Sequence, residues 1–350
     1  MEGRAERFRH DLDSYVQYRR LCDGVELTYD QINLEELMGY LDIEHHLGLR
    51  GSDTWSDQGN EGQVVIKTLI GQILSEKTPA AGAIPQIYLD FARCLKPGDY
   101  VLTFNYDILL ERALEQARVP YRLFPDRFRE VGEFLNTVDD SQEEVVVLKV
   151  HGSVDWFDDQ RYRRMRQLWV DQGMDPDKAR DPIFGRTRPW TLTPLVDGPR
   201  SEGDPLQSLY RLRDVEEYYE DPSWFISVPS LISPSTQKLI YANIVRSFWN
   251  GLGQAGGGNF RLVIIGYSLP EHDDYARQVI YRIVQNYQQA TSELADMLNV
   301  ERDPILIVDY RLNQDEISSL KKRFAFVDWS KATLYGAGFD RSVIARLSPP

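Results

Sequence analysis

The spacing of apolar residues changes halfway through the stretch from Asp99 to Leu114. Tyr100-Val101-Leu102 is a continuous apolar run, typical of a buried parallel strand, whereas Ile108 to Leu114 repeats at helical spacing. Between them lies the turn Thr103-Phe104-Asn105-Tyr106-Asp107. A strand that enters a helix through a polar turn is half of a βαβ unit, and ligands bind at such turns in open α/β sheets. We expect Asp107 to be the N-cap, with Glu111 in the first turn; an ordinary Asx turn and cap would explain the same residues.

The same kind of apolar run recurs along the chain. Buried strands are predicted at Glu143–Val150, Arg261–Ile265 and Pro304–Val308, and shorter ones at Val119–Phe124 and Phe324–Val327. Glu143–Val150 has the most β-branched residues, as a fully buried strand would. Helical periodicity lies between these runs. Strands that alternate with helices, without period-two alternation, predict an α/β, Rossmann-like fold with a doubly wound parallel sheet.

One long region lacks this periodicity. From Trp156 to about Gln237 the chain is rich in aromatic residues, arginines and prolines, without a sustained repeat. Proline breaks both helices and central strands, so this region does not continue the sheet. We predict a Rossmann-like core in residues 1–155 and 238–350, of which residues 1–95 are mostly helical. Residues 156–237 form a largely irregular or helical insertion, a lid over the ligand site.

Composition and charge exclude several classes of function. The 350 residues are 42% hydrophobic and 27% charged, as in globular proteins, and the net charge of -14 argues against a nucleic-acid-binding surface. The basic cluster Arg161, Arg163, Arg164 and Arg166 is interpreted as a solvated helical face. Two cysteines cannot form a four-thiolate zinc site, so no metal is expected. Without a long apolar stretch or a signal peptide, we expect a cytoplasmic protein that does not contact a membrane.

Four polar clusters follow the predicted buried strands. They are Thr103-Phe104-Asn105-Tyr106-Asp107, His151-Gly152-Ser153, Gly266-Tyr267-Ser268 and Asp309. In a parallel sheet the carboxyl ends of the strands share an edge, so we expect one site there. His151 is either a core histidine or a general base that works near neutral pH. Gly266 permits close backbone approach, Ser268 offers a hydroxyl to a phosphate or ribose, and Asp309 is either a ribose acceptor or the N-cap of the next helix.

Three of these clusters resemble sirtuin motifs. The segment TFNYDILLER, from Thr103 to Arg112, resembles the sirtuin segment T-Q-N-x-D-x-L-x-x-R, with Phe104 in place of the glutamine. HGS at His151 to Ser153 is similar to the catalytic His-Gly, and GYSL at Gly266 to Leu269 is similar to the G-T-S-L turn. In the order NYD, HGSVDW and IIGYSLPEHD, the chain looks most like the bacterial sirtuin-like family of anti-phage defence.

The resemblance implies a Rossmann-like sheet that binds NAD without a metal. Asn105 would position the ribose and the attacking water, His151 would be the base on the ribose hydroxyls, and Asp107 would orient the site. The cofactor-binding residues would be Thr103, Phe104, Gly152, Ser153, Gly266, Tyr267, Ser268 and Asp309.

The chain departs from the family in one motif. Family members begin with a strand and a G-A-G-x-S loop that holds the NAD phosphates, and no such loop precedes Thr103. The sequence Gly336-Ala337-Gly338 does occur late in the chain, after a possible strand at Thr333-Leu334-Tyr335, as a circular permutation would place it. We expect instead that the sequence starts downstream of the loop, or that the loop has been lost.

The leading hypothesis is an NAD+ hydrolase that cleaves the nicotinamide–ribose bond with water and depletes NAD during anti-phage defence. We expect a homo-oligomer that works with a partner such as a ring-forming ATPase or a sensor protein. One alternative is a non-catalytic subunit that binds NAD or another nucleotide or only assembles, which loss of the phosphate loop would favour. A protein deacylase is disfavoured because the four cysteines of the sirtuin zinc module are absent.

Overall fold

The computed structural model describes residues 2–51, 59–124, 126–132, 136–139, 141–185, 190–200, 204–220, 227–235, 237–238, 245–270, 273–289 and 302–348. The chain divides into two compact units. The first comprises Met1–Pro85 and Leu95–Phe248, and the second comprises Gln86–Cys94 and Trp249–Pro350. Within the described ranges, no helix is both long and apolar enough to cross a membrane.

The first unit begins with three helices, α1 (Glu2–Cys22), α2 (Leu34–His46) and α3 (Glu61–Lys77). Asn33 caps α2 by accepting bonds from two backbone N–H groups of its first turn, and Asn60 forms a capping box with Gln63 at the start of α3. Their apolar faces pack together around a buried cluster of Tyr15, Leu37, Met38, Leu41 and Ile66. The predicted helical character of this region is confirmed.

A three-stranded parallel sheet follows in the first unit. It contains β1 (Tyr100–Thr103), β2 (Tyr121–Arg122) and β5 (Val145–Lys149), in the order β1-β5-β2. Helix α5 (Leu109–Ala117) connects β1 to β2. All five residues of β5 are buried, as the β-branched run predicts, and β5 is the central strand of the three. Thr103 pairs with Lys149, so β1 and β5 end at the same level.

The rest of the first unit contains two antiparallel sheets. Strands β3 (Phe128–Val131) and β4 (Asn136–Val138) pair with each other. Strand β6 (Trp156–Asp158) leads into helix α6 (Gln160–Asp171), and β7 (Leu192–Pro194) and β8 (Leu209–Leu212) complete a sheet of order β6-β8-β7. Helices α7 (Val215–Glu220) and α8 (Arg246–Trp249) come next. Helix α6 has no buried residue, so the arginines at 161–166 form a solvated face as predicted.

The core under this antiparallel sheet reaches back to α3. Val154, Phe157, Leu212, Tyr218 and Tyr219 belong to one buried cluster. Tyr219 passes over Gly71 of α3 so closely that a Cβ there would lie 2.1 Å from the Tyr219 hydroxyl oxygen. That hydroxyl donates a 2.8 Å hydrogen bond to the carbonyl of Val154. A glycine at position 71 therefore lets the tyrosine reach its acceptor.

The second unit has its own parallel sheet. Strands β9 (Val263–Ile265), β10 (Ile305–Val308) and β11 (Ala332–Tyr335) pair in the order β11-β10-β9. The helices are α4 (Gln86–Cys94), α9 (Asp274–Gln289), α10 (Gln314–Arg323) and α11 (Arg341–Leu347). Phe91 of α4 packs edge-to-face against Phe339, with ring centroids 5.6 Å apart.

The chain thus has the predicted α/β, Rossmann-like fold, with two differences in detail. The described parallel strands form two hydrogen-bonded sheets of three rather than one. The strand predicted at Phe324–Val327 is wrong, because this stretch is a turn that follows α10, and the last strand is Ala332–Tyr335. Phe324 and Val327 are buried all the same, so their apolar character reflects packing at a turn. The boundaries of a core and an insertion at residues 156–237, and its role as a lid, stay predictions.

Candidate functional site

The loop after β1 presents Asn105 to solvent. Its backbone N–H donates a 3.1 Å hydrogen bond to the hydroxyl of Thr103, which turns the chain away from the strand direction. The Asn105 side chain is exposed, and its amide forms no hydrogen bond within the described part of the chain. An amide group offers both a carbonyl acceptor and two N–H donors to a ligand.

Asp107 supports the start of α5, although it is not the N-cap. The helix begins at Leu109 and its N-cap is Ile108, so the prediction is wrong by one residue. The Asp107 carboxylate still accepts a 2.9 Å bond from the N–H of Leu109. The short polar side chain thus satisfies one of the helix's free N–H groups from just outside the helix.

The loop after β5 contains His151, Gly152 and Ser153, and a neighbouring segment fixes it. Gly152 has a φ of +83° and forms a β-bridge with Leu231. A Cβ at Gly152 would lie 2.0 Å from the carbonyl oxygen of Ser230, so only glycine fits. The N–H of Ser153 donates to Ser230, and the N–H of Ile232 donates to the carbonyl of His151.

His151 lies between aromatic side chains of the β1 loop. Its side chain is buried, with 4% exposed. Its ring centroid is 5.1 Å from that of Phe104, in an edge-to-face arrangement, and 6.1 Å from that of Tyr106. The Tyr106 hydroxyl donates a 2.8 Å bond to the carbonyl of Ile232. The imidazole is thus held in place by aromatic rings at the end of β5.

Backbone bonds join the two loops directly. The carbonyl of Tyr106 accepts a 3.0 Å bond from the N–H of Val154 and a 3.3 Å bond from the hydroxyl of Ser153. Since β1 and β5 are parallel neighbours, both loops leave the same edge of the sheet. The structure therefore brings together the predicted residues of the first unit: Thr103, Phe104, Asn105, Asp107, His151, Gly152 and Ser153.

Beneath these loops lies a pair of buried ionic contacts that the sequence interpretation missed. Lys149 Nζ is 2.8 Å from Glu111 Oε1, with both side chains almost fully buried, and it also donates to the carbonyl of Asp107. Asp155 Oδ2 accepts a 2.9 Å bond from Nε of Arg211. Burial raises the pKa of Asp155, but attraction to Arg211 and Lys149 more than offsets burial and holds the pKa below its usual value.

One feature of the sequence does indicate buried charges in this region. Asp155 and Lys149 lie close to His151, in a stretch that is otherwise apolar and buried. A charge in such a stretch needs a partner, because an unpaired buried charge is strongly destabilising. The identity of the partner Arg211, which is 56 residues away along the chain, could not be deduced.

The remaining predicted residues belong to the second unit. Gly266 follows β9 with a φ of +64°, and its N–H donates a 2.9 Å bond to the carbonyl of Val308 at the end of β10. Tyr267 and Ser268 follow, half-buried, and burial raises the pKa of Tyr267. Because β9 and β10 are parallel neighbours, Gly266 and Asp309 lie at one edge of the second sheet. That the residues of both units line a single pocket stays a prediction.

Asp309 is not a helix cap. Its carboxylate accepts 2.7 Å bonds from the N–H of Tyr310 and from the guanidinium of Arg311, while the N-cap of α10 is Asn313. The backbone of Asp309 instead contacts the Gly336-Ala337-Gly338 loop after β11, since its carbonyl accepts a 3.0 Å bond from Gly338. The strand suggested at Thr333–Tyr335 is confirmed as part of β11.

Over the described ranges, no group of three or more histidine, cysteine, aspartate or glutamate side chains is arranged to hold a metal ion. No curated protein matches the chain. Residues 99–169 match the SIR2-like domain family. The matched segment contains both loops described above, the one with Asn105 and the one with His151. The match supports a sirtuin-like domain in this part of the chain.

Proposed function

We propose that this protein is an NAD+ hydrolase and the effector of a bacterial anti-phage defence system that depletes NAD. The observation that carries the proposal is the pairing of Asn105 and His151. They leave the carboxyl ends of two neighbouring parallel strands, within the segment that matches the SIR2-like domain. Ligands of open α/β sheets bind at this kind of edge.

The chemistry requires a positioned ribose, a base and a sheltered pocket. The bond between nicotinamide and C1′ of the ribose breaks through an oxocarbenium-like state, and the oxygen of water then bonds to C1′. The products are nicotinamide, ADP-ribose and a proton. In this proposal the exposed amide of Asn105 holds the ribose and the water, and the His151 imidazole accepts the proton.

The surroundings of both residues suit these roles. Phe104 and Tyr106 cover the His151 ring and would keep bulk water from it. Asp107 acts as a positioning residue, because its carboxylate and carbonyl are bonded to Leu109 and Lys149 and thus fix the loop that presents Asn105. A preorganised loop of this kind loses little freedom when the substrate binds.

The test measures nicotinamide release from NAD by the purified protein, alone and with its defence partners, such as a ring-forming ATPase or a sensor. His151→Ala and Asn105→Ala should each lower the rate by ~100-fold or more, the usual contribution of general acid–base catalysis. His46→Ala and Asn136→Ala, at exposed positions outside the site, are the matched controls and should retain activity.

Two results would contradict the proposal. If both site variants cleaved NAD as fast as the unaltered protein, Asn105 and His151 would not have the assigned roles. If NAD bound but no condition gave turnover, the protein would be a non-catalytic NAD-binding subunit. Circular dichroism should show that all four variants are folded, so that a loss of activity is not a loss of structure.

A further inference from the structure

A cleft lies towards the other end of β5. It has a volume of about 760 Å³ and opens in the first unit, lined by the end of α5, by β2 and by residues of β7 and β8. Glu144, just before β5, belongs to its wall, whereas His151 follows the same strand. Seven residues of extended chain span ~20 Å, so the Glu144 wall of the cleft is distant from the Asn105–His151 edge.

The charge of this cleft differs from that of the whole protein. Its walls carry five arginines and four carboxylates, whereas the net charge of the whole chain is -14. The arginines are Arg118, Arg122, Arg127, Arg211 and Arg213. Arginine is the residue best suited to phosphate, because its planar guanidinium donates two parallel hydrogen bonds to phosphate oxygens.

Three donors in the cleft converge on one carboxylate oxygen. Glu115 Oε1 accepts 2.7 Å hydrogen bonds from the Tyr121 hydroxyl and from Arg213, and it lies 3.7 Å from Nη1 of Arg211. These donors hold the pKa of Glu115 below its usual value although burial raises it. The Glu115 carboxylate thus occupies the position that an oxygen of a bound anion would take.

The donors differ in how firmly they are held. Arg211 is buried, and its guanidinium bonds Asp155 at 2.9 Å and the Tyr121 hydroxyl at 2.8 Å, so its orientation is fixed. The side chains of Glu115 and Arg213 are about 40% exposed. Glu115 can therefore turn into solvent and leave its donors to a more highly charged anion, since exposed ion pairs are weak.

Part of the cleft wall is apolar. Val119, Phe124, Leu195 and Val196 line it. Binding sites for small molecules combine an apolar wall with a few convergent polar groups in a volume of this size. We propose that this cleft binds a nucleoside diphosphate, whose phosphates replace the Glu115 carboxylate on Arg211 and Arg213 while the base contacts the apolar wall.

The experiment is isothermal titration calorimetry with ADP, inorganic pyrophosphate and adenosine as probes. ADP should bind more tightly than pyrophosphate if the apolar wall contacts the base, and adenosine should bind most weakly. Arg213→Ala should weaken ADP binding by ~10-fold or more, because it removes a charged hydrogen-bond donor. Glu115→Gln should tighten the binding of pyrophosphate, because it removes the competing negative charge.

The control variant is Arg166→Ala. Arg166 has a similar exposure and a similar ion pair, 3.0 Å from Asp177, but lies outside the cleft. Affinity should be unchanged in this variant. The proposal is overturned if the unaltered protein binds neither ADP nor pyrophosphate, or if Arg213→Ala and Arg166→Ala bind alike. It is also overturned if Asn105→Ala alone loses ADP, which would place the nucleotide at the other edge. These results are independent of NAD cleavage.

Discussion

The close contact at Gly152 gives a sharp prediction for stability. Gly152→Ala places a side chain on a residue with a φ of +83° and a Cβ 2.0 Å from the backbone carbonyl of Ser230. The left-handed conformation alone costs about 1–2 kcal/mol in a residue with a Cβ. The clash adds to this cost, because the obstacle is backbone and cannot rotate away.

The cost of the clash follows from the bonds that would have to break. The segment at Ser230 to Ile232 is joined to the β5 loop and to β6 by three backbone hydrogen bonds: Ser153 to Ser230 (3.3 Å), Ile232 to His151 (2.8 Å) and Ser230 to Trp156 (2.8 Å). Each contributes about 1 kcal/mol. We therefore expect Gly152→Ala to lower the free energy of unfolding by about 4–5 kcal/mol.

Gly82→Ala is the matched control for this experiment. Gly82 lies in the same unit and has a φ of +89°, but no heavy atom within 4 Å of the position of a Cβ. It should lose only the conformational cost, about 1–2 kcal/mol. Urea unfolding followed by circular dichroism measures both variants. Equal losses in the two variants would refute the reasoning, because the clash would then contribute nothing.

Two predictions concern the buried charges. Lys149→Met should cost about 3–5 kcal/mol, because it leaves the Glu111 carboxylate buried without its cation. The double variant Lys149→Met/Glu111→Leu should cost about 1–3 kcal/mol less than the sum of the single losses in urea unfolding, and strict additivity would contradict the pairing. Asp155 has a lowered pKa in the folded protein, so its stabilising effect is complete above its unfolded pKa, about 3.9, and is lost as the pH falls through the folded value. The stability difference between the unaltered protein and Asp155→Asn should therefore shrink below about pH 4, and a constant difference would disprove the linkage.

The local pattern of the sequence was enough to locate the strands that position the site. At each of β1 and β5, the apolar run and the polar residues after it lie within about ten residues of each other. The structure places both loops at one sheet edge. The capping position was wrong by one residue, because an aspartate can accept from the helix N–H groups from outside the helix as well.

Interactions between distant parts of the chain could not be predicted in this way. Strands β6, β7 and β8 have three or four residues each, too few for a period to be recognised, and they pair across tens of residues. The pairing of Asp155 with Arg211 has no local signal for the same reason. At Phe324–Val327, a buried turn has the same apolar composition as a short strand, so the two could not be told apart.

The segment at residues 227–235 links the His151 loop to helix α2, so the three parts should unfold together. It bonds the His151 loop through Ser230 and Ile232, and the hydroxyl of Ser235 donates to the buried carboxylate of Asp42 in helix α2. Local unfolding proceeds in cooperative units that share such bonds. The backbone amides of the 227–235 segment, the His151 loop and α2 should therefore exchange with deuterium together. A truncated protein without α1 to α3 would leave Ser235 without its acceptor. The His151 loop would then loosen although none of its own residues had changed.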